Sequence, residues 1–423
     1  MRHANKVDGS DTHNSNNMDS NDAATSKLGR WRDPRHPDPW IARTNKFLLR
    51  FIKINDAQIQ MTKDAYMEGD PLADELISWM HEAGMRKSWP QFELALTKGL
   101  PTVDSPSPSL TAFFSVLETP PAWMDHAAMR RGCDVAMRTS KMGEIVGFSG
   151  LLGGYAAVGL AKPLVATRGL DKATKLRLIE TMQWVYDVYS SDGLGRFSPG
   201  FISTVRVRVL HALVRHKLVA QGWNCKRWGL PINQVDMGVT LHGQGVINLM
   251  AMRAMGAIIT PSEGRDYFML WRYIGHIMGV APKFNPSSEW EAIKLIPLLM
   301  GTQEGPDEDS RHLAKALLET RREIWPEGKV GRLLADCDVN LRVALTRVLA
   351  GKAAGDGLGL PDHLLWQLVV YMIPAANIAQ DLVRIMTPGA TDRATRRGYE
   401  QFRQIMERLS EGKRTDFSHH HAK

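Results

Sequence analysis

The segment V-R-V-R-V-L-H-A-L-V-R at 205–215 holds one histidine, His211, with Arg208 three residues before it and Arg215 four residues after it. On a helix those spacings bring the three side chains to one face. Val207, Leu210, Val214 and Leu218 recur at three- and four-residue intervals and predict a buried stripe with His211 at its border. Two guanidinium groups beside an imidazole lower its pKa and keep it neutral. Neutral imidazole is the form that ligates a metal such as haem iron, and arginines pair well with haem propionates. A core histidine hydrogen-bonded to a carbonyl or carboxylate has the same pattern, and the residues alone favour that plainer reading.

A second patch lies in 171–189. Arg177, Glu180 and Thr181 stand at i, i+3 and i+4, beside an apolar stripe of Leu178, Met182, Val185 and Tyr189. A cation, a carboxylate and a hydroxyl on one patch could orient a bound diatomic gas or supply a general base. A solvated face with an ordinary Arg–Glu pair would look the same. The third segment, G-L-P-I-N-Q-V-D-M-G-V-T at 229–240, suits a turn into a helix capped by Asn233, with Asp236 in the first turn; a role for Asp236 or His242 does not follow from it. There is no P-loop, no G-x-G-x-x-G after a strand, no G-x-S-x-G and no H-E-x-x-H. Repeated E-x-x-H and C-x-x-C-H are also missing, so a haem here would be non-covalent.

The elements that must position these groups are helical. Cap signals recur at Asp70-Pro71, Ser198-Pro199, Thr260-Pro261-Ser262-Glu263 and Asp338, and no period-two strand stands out. The periodicity predicts helices over 70–86, 91–99, 107–118, 125–161, 171–190, 199–221, 234–257, 261–280, 287–301, 309–324, 338–350, 361–386 and 391–411. Residues 1–40 are polar and interrupted by Pro34, Pro37 and Pro39, which predicts a disordered arm. One helical domain is expected over 41–390, and a C-terminal helix and tail over 391–423; the His419–His421 run reads as a polar tail.

Bulk properties exclude several classes. The formal charge is +8, yet 53 Lys and Arg are interspersed with 45 acids, so no concentrated nucleic-acid-binding face is expected. Three separated cysteines (Cys133, Cys225, Cys337) give neither a zinc site nor a disulfide framework and suit a reducing, cytoplasmic setting. The uncharged run Ile145–Ala161 is broken by five glycines and reads as a buried helix with close contacts, so no integral membrane span is expected. Oligomeric state is not encoded in any recognisable signal.

Three pieces in order, R-L-I-E-T at 177–181, the arginine/histidine segment at 205–215 and P-I-N-Q-V-D within 229–240, resemble the latex-clearing-protein (rubber oxygenase) family and the related mycophenolic-acid side-chain oxygenase. The similarity runs from about 110 to 390. It implies an all-α fold with a globin-like core and additional helices, haem b, and O2-dependent cleavage of an isoprenoid carbon–carbon double bond. His211 would then be the proximal iron ligand, with Arg208 and Arg215 as cofactor-binding neighbours, and Arg177 and Thr181 would lie on the distal side. The match departs from the family at two points. Glu180 stands where rubber-cleaving members carry a distal lysine, and no acid occurs near Ala161–Lys162, where their glutamate base falls. Either Glu180 or Glu144 would supply the carboxylate, and a small apolar or isoprenoid substrate is expected rather than rubber. The alternatives are a haem-binding or gas-sensing protein without turnover, and a helical interaction protein with no cofactor.

Overall fold

The computed structural model describes residues 28–167, 172–190 and 192–409, which form helices and turns and, among the described residues, no strand. The all-α expectation holds. The principal helices are α1 (Pro71–Ala83), α2 (His126–Arg138), α3 (Ser140–Gly154), α4 (Val158–Thr167), α5 (Lys172–Tyr189), α6 (Pro199–Ala220), α7 (Gln234–His242), α8 (Pro261–Ile277), α9 (Glu308–Arg322), α10 (Lys329–Ala350), α11 (Leu364–Met386) and α12 (Ala390–Leu409). The main core gathers α1, α2, α5, α6, α7 and α8 around residues such as Phe113, Phe201, Val209 and Tyr267.

Cap chemistry fixes the starts. Asp70 accepts from Ala73 N ahead of Pro71, Ser198 from Phe201 N ahead of Pro199, and Thr260 forms a reciprocal capping box with Glu263. Two expectations need correction. The run 125–161 is not one helix: α2 ends at Arg138, and α3 and α4 meet at a bend of 88°. Within α3 only Gly153 makes a tight contact, its would-be Cβ lying 3.3 Å from Ala350 Cβ, whereas Cβ atoms at Gly147, Gly150 and Gly154 would meet nothing. Asp338 is no cap either. It sits inside α10 and binds Arg321 and Arg342, so the helix begins nine residues earlier, at Lys329.

Both ends of the expected domain extend further. Residues 28–40 belong to the body: Arg30 is fully buried, lies 4.4 Å over the Tyr66 ring and pairs with Asp236 at 2.5 Å. Apolar and aromatic contact around one well-paired guanidinium outweighed the polar composition of this stretch. Two helices at this end also went unread, Pro39–Leu48 and the Asn55-capped Asp56–Ala65, as did the short Cys225–Trp228 and Lys352–Gly357 further on. At the other end α12 docks on α2 and α5 through buried Phe402 and Met406, so it is no free extension. Residues 1–27 and the terminal histidines lie outside the described residues.

Candidate functional site

Helices α5 and α6 pack antiparallel, with residues 192–198 leading into α6. Two contacts set their register. The backbone of Gly200 presses on Val188, where a Cβ would come within 2.8 Å of Cα, and Trp184 Nε1 donates to Thr204 Oγ1 at 2.9 Å. Seven residues back from Trp184 is Arg177; seven residues on from Thr204 is His211. Seven residues are close to two full turns of about 3.6 residues, so each side chain returns to the same face. This packing therefore sets Arg177 level with His211, and Thr181 level with Val207.

Helix α6 runs through the middle of the body, and its covered side carries Val205, Arg208, Val209, Ala212 and Arg215. This corrects the expected stripe, of which only Leu218 is fully buried. Val207, Leu210, His211 and Val214 share a face and keep partial exposure. His211 nevertheless lies deep: burial first, and Arg215 second, push its pKa down to about 4, against an opposing pull from Asp70. His211 Nδ1 is buried with no hydrogen-bond partner. The imidazole is neutral and uncommitted at that nitrogen, the state a metal-ligating histidine requires.

The arginines of the same segment have other tasks. Arg208 makes a bidentate pair with Asp70 at 2.6 and 2.9 Å and donates to Ile277 O at 3.2 Å. Arg215 donates to Asp74 at 2.8 Å and to Ile232 O at 2.8 Å. Arg206 is bidentate on Glu93, at 3.0 and 2.6 Å. Arg208 and Arg215, expected beside the cofactor, thus both engage protein carboxylates. Three arginine clamps, on Asp70, Asp74 and Glu93, hold α6.

The 229–240 segment completes this scaffold. Ile232 adopts φ 52°, unusual for a β-branched residue, and its carbonyl is gripped by Arg215. Asn233 caps α7 by accepting from Asp236 N at 3.1 Å; Gln234 bridges Gly69 O, Gly279 O and Ala281 N. Asp236 is consumed by Arg30 and Asn233. A π turn, Gly243–Ile247, succeeds α7. The participation of Arg30, Asp70, Asp74 and Glu93 was not legible in the sequence; the one signal was Asp70-Pro71, which reads as a cap and nothing more.

On the facing helix, Arg177 and Glu180 are half-buried and Thr181 is exposed, with Arg177 Nη1 donating to Leu164 O at 3.3 Å. At the position where an acid was sought, Ala161 is buried and Lys162 bridges Asp307, at 2.5 Å, and Asp309. Glu144 is committed as well, to Arg342 at 2.6 Å and Arg321 at 3.3 Å. Of the two candidate carboxylates, Glu180 alone belongs to the helix facing His211. Among the described residues no cluster of three or more His, Cys, Asp or Glu could hold a metal ion; a macrocycle with one protein ligand needs none. His211, with its open neighbours Val207, Leu210 and Val214, fits that requirement.

Buried His242 gives a pH prediction. Its Nε2 lies 2.9 Å from Phe284 O, and burial, partly offset by that bond, pushes its pKa down to about 4. The unfolded chain binds the proton near pH 6.5, so this contribution to stability is complete above that pH and is lost as pH falls toward 4. Urea unfolding midpoints should drop between pH 7 and 4.5, with a slope of up to about 1.4 kcal/mol per pH unit for each such histidine. His242→Gln, which keeps a donor for Phe284, should flatten the slope by one proton; an unchanged slope refutes the assignment.

Comparison with known proteins identifies the family and the fold. The family described as "ER-bound oxygenase mpaB/B'/Rubber oxygenase, catalytic domain" matches residues 143–375. A rubber oxygenase of Streptomyces sp. (strain K30) is 26% identical over 284 residues, covering 65% of this chain and 64% of that protein, so a third of the relative's length is unmatched. A solved structure of latex clearing protein in the closed state superposes with a TM-score of 0.62 at 20% identity, covering 81% of this chain and 91% of that one. That likeness establishes a shared fold. Because the catalytic-domain match takes in more than half of the chain, from α3 through α5 and His211 to the middle of α11, the protein belongs to the mpaB/B' and rubber oxygenase family.

Proposed function

We propose that the protein is a haem b-dependent oxygenase that uses O2 on a carbon–carbon double bond of an isoprenoid or other apolar alkene. The observation that carries this reading is the register that sets an uncommitted, neutral His211 level with Arg177 on the facing helix. His211 would hold the iron through its ring nitrogen. When bound, the haem supplies the O2 chemistry that amino-acid side chains lack. Val207, Leu210 and Val214 offer an apolar wall that excludes water and suits an alkene. Across from them Arg177 and Thr181 provide donors for a polar oxygen species, and Glu180 is the carboxylate placed to hold or move a proton. Three free cysteines, with Cys133 buried, support a reducing compartment such as the cytoplasm.

The test combines a spectrum with turnover. The full chain, supplied with haemin, should show a Soret band that shifts with dithionite and CO, and should consume O2 with squalene. Glu180→Gln should keep the band while turnover falls by about 10²-fold, the size of a lost general base. A protein that takes up no haem would overturn the reading. Haem uptake without O2 consumption, or a Glu180→Gln variant with full activity, would refute the oxygenase or the glutamate assignment respectively.

A further inference from the structure

Helix α11 carries its polarity the wrong way round for a core helix. It is long and apolar enough to cross a membrane, yet almost all of it is uncovered. At about 100° per residue its side chains sort into two arcs. One arc faces the body: Val370 is buried, Asn377 donates to Met255 O at 2.7 Å, Asp381 accepts from Ile258 N at 2.8 Å, and Arg384 pairs with Asp381 at 2.8 Å. The outward arc spans about 200° and includes Leu364, Leu365, Leu368, Met372, Leu382 and Met386, with Leu365 at 78% exposure and no charged residue. Polar groups point inward and leucines outward.

We infer that α11 is a monotopic membrane-docking helix that lies in the surface of an anionic lipid bilayer. The width of the arc selects the occupant. A partner helix covers a stripe of roughly 100°, whereas an acyl phase wraps a convex apolar ridge of twice that width. The stretches 329–336 and 392–397 on the neighbouring helices expose more cations than acids, with Asp336 and Asp392 as the acids among them. The exposed Lys329 and Arg332 alternate with exposed Val330, Leu333 and Leu334 on α10, which packs beside α11, and α12 adds exposed Arg393, Arg396 and Arg397. Long cations beside leucines are suited to the boundary between acyl chains and anionic headgroups. Spanning is disfavoured, because buried Val370 and the bonds of Asn377 and Asp381 tie the middle of α11 to the charged body. The inference rests on α11 and its neighbours α10 and α12 and does not depend on haem or turnover.

Vesicle sedimentation of the full chain tests it. Wild type should pellet with vesicles of phosphatidylcholine and phosphatidylserine, and less with phosphatidylcholine alone. Leu365→Asp with Leu368→Asp, both at exposed positions, should weaken binding at least tenfold while leaving the circular dichroism spectrum and any Soret band intact. Arg396→Glu with Arg397→Glu should remove the preference for anionic vesicles. Failure of wild type to pellet with either vesicle would overturn the proposal. So would equal binding by the Leu365/Leu368 variant, or a concentration-dependent dimer that the same variant abolishes, which would assign the ridge to a second copy of the chain.

Discussion

His211→Ala should yield a folded protein that binds no haem. The imidazole makes no hydrogen bond through Nδ1, so its removal orphans no partner, and the cost to the cofactor-free fold is the lost packing, about 1–2 kcal/mol. Retention of haem should fall at least tenfold and O2 consumption should disappear. Added imidazole should restore part of the Soret band by entering the space the side chain vacates. That rescue separates a ligand from a residue whose loss distorts α6. A variant with an undiminished Soret band would remove His211 from the site.

Arg208→Ala should do the opposite, damaging the fold before the chemistry. Arg208 and Asp70 are both buried, and truncating the cation strands a carboxylate inside the protein. Breaking such a pair costs about 3–5 kcal/mol, a large part of a typical folding free energy. The urea midpoint should fall accordingly. Replacing both partners, Arg208→Met with Asp70→Leu, should recover most of this loss, since an apolar pair has no desolvation to repay. A deficit of about 1 kcal/mol should persist, because Asp70 also caps α1 through Ala73 N. A single variant with wild-type stability would show that the clamp contributes nothing.

Helix type and much of the helix pattern were legible because caps and apolar periodicity are local. The position of His211 on α6 was legible for the same reason. The partners of its arginines were not: Arg208 meets Asp70 across 138 positions of sequence, and Arg30 meets Asp236 across 206. No local pattern encodes such pairings. The pairing of Arg208 and Arg215 with Asp70 and Asp74 was not foreseen, since i−3 and i+4 spacing gives a shared face and not the target of a long flexible side chain. The exposed ridge of α11 was likewise invisible. A run of leucines in a sequence is ordinarily assigned to a core, and only tertiary structure shows which side was left uncovered.

The three clamps on α6 have a consequence for how such a protein can change over generations. The wall bearing His211 is determined several times over, by Asp70, Asp74 and Glu93, so drift at any surface position leaves it in place. The wall bearing Arg177, Glu180 and Thr181 is tied to it through the Trp184–Thr204 contact. Selection can therefore rewrite the second wall without unseating the first. New substrate preferences can be tried on one face of the helix pair while the other is inherited unaltered.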